Sequence, residues 1–168
     1  MLNKSRKRKQ SKLRTKRNKR RLRRTKRKGG QAQPQLSINY ANIRIGGQEL
    51  GRDVYLKPPR ITITNYAADF IITMTDPDAP AGTWTHYVAL IKPDGSVADN
   101  KPYYAYQPPK PPPGTGIHHY IFKAYPLAKT SLANNRNLPG NEYYKQVLLP
   151  FIENNKPLAE EKEFTVTS

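Results

Sequence analysis

The chain has 168 residues, no cysteine and a formal net charge of +18 at neutral pH. Without cysteine there are no disulfides, no thiolate catalysis and no Cys-based zinc sites, and no apolar run approaches the ~20 residues of a membrane span. The charge is confined: 17 of the 30 Lys and Arg fall in residues 1–28, leaving 13 bases against all 12 acids in the rest.

Residues 1–28 hold three leucines, no aromatic residue and no acid. Self-repulsion with almost nothing to bury predicts a segment that is disordered on its own. An apolar h-region is missing, so the segment does not read as a secretory signal. It shares the Arg content of a mitochondrial transit peptide, but its apolar face is thin and its Lys density high. The clusters Lys4, Arg6, Lys7, Arg8, Lys9 and Arg20, Arg21, Arg23, Arg24 suit polyanion contact through Coulomb attraction and counterion release. Nucleic acid, anionic lipid, import receptors and acidic protein surfaces all qualify. The setting this predicts is intracellular, cytoplasmic or nuclear and nucleolar, or a virion. Gly29 to Pro34 then reads as a flexible joint, which divides the chain into a basic tail and linker at 1–34 and one domain at 35–168.

All 16 prolines lie beyond residue 28, which disfavours long helices and favours short extended pieces. In chain order, Ile43 and Ile45 alternate around Arg44 before the turn Gly46-Gly47. Ile61 and Ile63 alternate with threonines after Pro58-Pro59. Phe70 to Thr75 is a mostly apolar run, as expected of a strand covered on both faces. His86 to Lys92 predicts another strand, closed by Pro93-Asp94-Gly95-Ser96. Ile117 to Tyr125 is the longest strand, and Phe164 to Thr167 the last. One segment reads as helical: Asn141 caps it, Glu142 suits its first turn, Tyr144, Val147 and Leu148 form its apolar face, and Pro150 should kink or end it, with Phe151-Ile152-Glu153 beginning another turn. The fold class is mainly β with a minor helical element.

Strand geometry sorts the polar residues. Alternation puts His118, Tyr120 and Phe122 on one face, and Ile117, His119 and Ile121 on the other. Asp76 shares a face with Ile72 and Met74, and strict alternation puts His86 with Val88 and Leu90. Polar groups at the ends of apolar stripes are where a shallow cleft over a buried sheet would place them. A carboxylate buried there costs several kcal/mol unless paired, which favours an Asp76–His contact. The competing reading makes Asp76-Pro77-Asp78-Ala79-Pro80 a proline turn whose aspartates cap backbone amides.

With these residues in place the chain resembles the phosphatidylethanolamine-binding protein family, which includes Raf kinase inhibitor proteins and plant flowering-time regulators. Two signatures are matched in order and spacing: Asp-Pro-Asp-Ala-Pro at 76–80, and Pro-Pro-x-Gly-Thr-Gly-x-His-x-Tyr at Pro111 to Tyr120. Trp84-Thr85-His86-Tyr87 is similar to the intervening Trp-x-His segment, and the likeness spans 35–168. The resemblance implies a large central antiparallel sheet, a smaller sheet packed on it and one or two short helices near the C-terminus. It also implies a pocket for small anions, phosphorylated groups and phospholipid heads, with Asp76, Pro80, His86, Pro111, His118 and Tyr120 at pocket positions and Gly116 in the rim loop. Its usual output is regulation of protein partners such as kinases or proteases. The chain departs from the pattern at His119, where the family usually has an arginine with a structural ion pair. It ends at the last strand, as in the compact bacterial and viral type, with an added basic tail.

The chemistry expected is anion capture by a monomer, with no cofactor: His86, His118 and the Tyr120 hydroxyl donate to phosphoryl or carboxylate oxygens, and Asp76 orients an imidazole. A nucleic-acid-associated adaptor driven by residues 1–28 is the alternative. A weak hydrolase, or a metal held by His86, His118 and Asp76, ranks below both, since no nucleophile elbow and no two-His helical spacing is present.

Overall fold

The computed structural model describes residues 32–127, 132 and 137–168; the basic tail and the first half of the joint expected before residue 35 lie outside these. Strands β1 (Gln35–Tyr40), β2 (Ile43–Arg44) and β3 (Arg60–Thr64) form an antiparallel sheet in the order β2-β1-β3. Strands β4 (Phe70–Asp76), β5 (Trp84–Ile91), β6 (Ile117–Pro126) and β7 (Lys162–Thr167) form a larger antiparallel sheet in the order β5-β4-β6-β7. A helical stretch before β7 comprises α1 (Gly140–Tyr143), a π turn (Tyr144–Leu148) and α2 (Leu149–Glu153).

The larger sheet is covered on both faces. Leu36, Ile38, Ile61 and Ile63 of the small sheet pack with Phe70, Ile72, Met74, Phe122 and Phe164 in one core cluster. On the opposite face Ile71, Val88 and Tyr125 pack with Tyr143, Val147, Leu148 and Phe151 of the helical stretch. This accounts for β4, which is buried at every position except Thr75: a strand apolar on both faces needs a layer on each side. The exposed edge of β7 is covered by residues 47–50, with Gly47 N–H donating to Glu163 O at 2.7 Å and Leu50 N–H to Thr165 O at 3.0 Å. An edge satisfied in this way offers no template to another chain.

The helical stretch differs from expectation at its start. Its cap is Pro139, without a side-chain cap bond; Asn141 lies inside the first turn, where its Oδ1 accepts the Glu142 amide at 2.9 Å. Pro150 does not end the helix. A proline lacks an N–H and its ring collides with the carbonyl four residues back. The π turn before α2 widens the spiral there, so the chain continues helical through Glu153. Among the described residues no helix is long and apolar enough to cross a membrane.

Candidate functional site

The site forms where β4, β5 and β6 end together. Asp76 is the last residue of β4 and is 2% exposed; His118, near the start of β6, is 0% exposed. Their contact is short, with His118 Nδ1 to Asp76 Oδ2 at 2.7 Å. The other carboxylate oxygen accepts the Asp78 amide at 2.9 Å, closing an Asx turn. The turn and pocket readings of Asp76-Pro77-Asp78 therefore hold together: one oxygen shapes the loop and the other faces the histidine. On its far side the His118 ring meets Thr115, Nε2 to Oγ1 at 2.8 Å, and the Thr115 hydroxyl donates to Pro112 O at 2.7 Å. The His118 ring is thus held between two partners, Asp76 at Nδ1 and Thr115 at Nε2. The expectation that His118 offers a free donor to a ligand is corrected: both its ring nitrogens are engaged.

His86 arrives by a route that alternation does not foresee. In the β4–β5 ladder Met74 faces Tyr87 and Thr75 faces Thr85, so His86 is the extra residue of a β-bulge. A bulge re-aims side chains and breaks the two-residue period. His86 consequently does not share the Val88 and Leu90 face. It turns to the face of Tyr87 and sets its ring against Tyr120, with centroids 5.0 Å apart and an edge-on angle of 78°. An extended segment pairs along this stretch of β5, with Tyr104 and Val88 exchanging backbone bonds and Gln107 N–H donating to His86 O at 2.8 Å. The Gln107 carbonyl in turn lies 2.8 Å from His86 Nδ1. A carbonyl only accepts, so Nδ1 carries the proton and Nε2 presents a lone pair. Burial pushes the His86 imidazole below its ordinary 6.5, and the His118 ring adds to this; the Gln107 carbonyl and the Asp76 charge pull the other way without prevailing. His86 is the neutral imidazole at neutral pH.

Tyr120, on β6, stacks on Phe164 at 5.2 Å, and its hydroxyl is buried without a hydrogen-bond partner. Burial, then the Asp76 charge, pushes this hydroxyl far up against a smaller lowering by the nearby Lys110 backbone N–H, so it keeps its proton. Thr85 Oγ1 and the hydroxyls of Tyr125 and Tyr143 are also buried without a partner, but of the four residues Tyr120 is the one that lines the cavity. The cavity has a volume of about 430 Å³, and Asp76, Pro80, His86, Pro111, His118 and Tyr120 line it together. Gly116 does not line it. With φ at +86°, Gly116 turns the loop into β6, and its backbone N–H and C=O both bond Ser168, at 3.0 Å each.

Gln107, Pro108 and Lys110 also form the wall and lie outside the motifs read from sequence, while Trp84 and Pro112 belong to those motifs without having been named as site residues. Trp84 Nε1 donates to Gln107 Oε1 at 3.1 Å. The indole also fills the space where Gly140 would carry a side chain, tying the start of α1 to the pocket. A signal was present in the run Gln107-Pro108-Pro109-Lys110-Pro111-Pro112-Pro113, whose prolines fix an extended wall. His119 faces away from the cavity, as its alternation predicts, and takes a partner of its own. Asp78 Oδ2 accepts both its backbone N–H and its Nδ1, each at 2.8 Å. Burial works to raise the Asp78 carboxyl, but the His119 hydrogen bonds and charge outweigh it and hold it below the usual range. Among the described residues no group of three or more His, Asp or Glu side chains is placed to hold a metal ion.

The sequence profile described as phosphatidylethanolamine-binding protein matches residues 15–166. A UPF0098 protein of Pyrococcus abyssi is 32% identical over 125 residues, which span 61% of this chain and 70% of the relative. Among solved structures, a phosphatidylethanolamine-binding protein from Plasmodium vivax superposes with a TM-score of 0.62 at 16% identity, over 90% of this chain and 94% of that one. A carboxypeptidase Y inhibitor, solved in complex with its cognate proteinase, superposes with a TM-score of 0.56 at 18% identity, over 79% of this chain and 82% of that one. Likenesses this distant speak for the fold, while the profile match spans most of the sequence. The chain belongs to the phosphatidylethanolamine-binding protein family.

Proposed function

We propose that the cavity at the ends of β4, β5 and β6 captures a small anion, the phosphoryl group of a small molecule or a phospholipid headgroup, and that the protein regulates a protein partner such as a kinase or protease. One observation carries the first part: the buried Tyr120 hydroxyl, which has no hydrogen-bond partner, and the His86 ring, whose Nδ1 is taken by the Gln107 carbonyl, line one cavity with the Asp76–His118 pair. The Tyr120 hydroxyl is a ready donor to an anionic oxygen. His86 becomes one by taking up a proton, and a bound anion favours that uptake. Affinity is therefore highest below the pKa of free His86 and falls as pH rises through the higher pKa it acquires in the complex. Titration with inorganic phosphate, followed by the imidazole NMR signals, tests this. Shifts are expected at His86; their absence at both His86 and His118 removes the proposal.

The partner half of the reading has the proteinase complex of the carboxypeptidase Y inhibitor as its support. A second reading concerns the 17 cationic residues of 1–28, which suit nucleic acid in a cytoplasmic or nuclear setting. Binding to duplex DNA should then weaken with salt, with a slope of about −0.9 per phosphate contacted. Deleting residues 1–28 should abolish that slope and leave phosphate binding by the monomeric domain unchanged.

A further inference from the structure

The protons and charges around the cavity narrow the class of anion. Asp76 is committed to His118, and His118 to Asp76 and Thr115. Trp84 Nε1–H is held by Gln107, and Gln107 Nε2 donates to the Tyr104 hydroxyl at 2.8 Å. Two groups remain for a ligand: the Tyr120 hydroxyl, which donates, and His86 Nε2, which accepts. Lys110 is the one lysine or arginine of the wall, and among the described residues no carboxylate forms an ion pair with it.

We propose that the cavity selects phosphate monoesters over phosphodiesters, with His86 making the distinction and Lys110 supplying the counter-charge. The inference rests on the anion reading above and narrows it. A lone pair on Nε2 repels unprotonated anionic oxygen. A monoester removes the conflict because it carries an ionisable P–OH whose pKa, about 6, lies near that of imidazole. Ligand and histidine then share one proton, as P–O–H···N or P–O⁻···H–N⁺, without any bond to phosphorus changing. The remaining negative charge faces Lys110 and the Tyr120 hydroxyl. A diester has no proton to share. It must draw one from solvent onto an imidazole that burial disfavours charging, and it offers a single negative charge in return.

Trp84 is the only tryptophan in the chain and stands in the cavity wall, so its fluorescence reports this site even where the basic tail attracts phosphates. The full-length chain at neutral pH and physiological salt is titrated with phosphoethanolamine, a monoester, with glycerophosphoethanolamine, the matching diester, and with acetate. The monoester should bind about tenfold to a hundredfold more tightly than the diester, the range of one charge-assisted hydrogen bond. The His86→Gln variant donates an amide N–H without needing a proton, and should bring the two esters within about threefold. Lys110→Met should weaken the monoester about tenfold. In the wild type the preference should shrink as pH falls through the lowered pKa of His86 and solvent protonates the ring; this needs no variant to fold. Equal affinity for the two esters in the wild type, or an unchanged ratio in His86→Gln, overturns the inference while the anion pocket stands. No Trp84 response to any of the three ligands overturns both.

Discussion

Replacing Asp76 by Asn isolates the contact on which the site is built. The asparagine keeps an oxygen for the Asp78 amide, so the Asx turn survives and the perturbation falls on His118. There a carboxylate 2.7 Å from Nδ1 is exchanged for a neutral amide, between side chains exposed by only 3% and 0%. The ring cannot flip to escape, because Nε2 is held by Thr115. Breaking one member of a buried pair costs about 3–5 kcal/mol. For a folded body of about 130 residues that lowers Tm by about 10–18 °C. Urea unfolding of Asp76→Asn, His118→Gln and the double variant measures the coupling. The double variant should lose about 2 kcal/mol less than the sum of the singles, since it leaves no charge without its partner. A loss below about 1 kcal/mol in Asp76→Asn, or additivity within about 0.5 kcal/mol, would refute the claim that this pair holds the site together.

Tyr120→Phe removes a hydroxyl with no well-formed hydrogen bond and only the Lys110 backbone nearby, so stability should change by no more than about 1 kcal/mol while phosphate affinity falls about tenfold; a larger loss of stability on urea unfolding would mean the hydroxyl has a structural partner. Gly140→Ala places a methyl group against the Trp84 indole and should cost about 1–3 kcal/mol, with altered Trp84 fluorescence in the folded state; unchanged emission and stability would deny that α1 packs on the pocket wall. The depressed pKa of His86 also gives stability a pH dependence. The unfolded chain binds this proton near 6.5 and the folded chain only at lower pH, so the contribution is complete above 6.5 and is lost as pH falls through the folded value. Unfolding free energies measured across that window should rise with pH in the wild type and more shallowly in His86→Gln; parallel slopes would contradict the burial argument.

Alternation alone was enough to set Asp76 beside Ile72 and Met74, to group His118 with Tyr120 and Phe122, and to turn His119 outward. Those residues lie on regular strand whose apolar neighbours are legible one by one. It failed at His86, because a bulge adds one residue to β5 and leaves no mark in the hydrophobic pattern. At Pro150 the proline marked the irregularity and the further turn through Glu153, while the π form of that irregularity leaves no sign in the sequence. Gln107, Pro108 and Lys110 were missed for a different reason. Their place depends on Tyr104 pairing with Val88, sixteen positions earlier in the chain and outside the named strands, and no local periodicity encodes such a pairing.

The bulge ties the architecture to the chemistry. In an unbroken β5, His86 would enter the layer beneath the helical stretch, among Val88, Tyr104 and Tyr143, where a lone pair on Nε2 has no solvent and no ligand to meet. One extra residue carries it across the sheet to Tyr120 and the cavity, while Val88 and Leu90 keep their places in the apolar layer. The segment 104–107 supplies the Gln107 carbonyl that fixes the tautomer, and the prolines after it form the wall the ring faces. Removing the bulge by deleting Thr85 would restore alternation and dismantle the site together. The place of the His86 ring at the cavity therefore depends on the chain breaking its own period at that position.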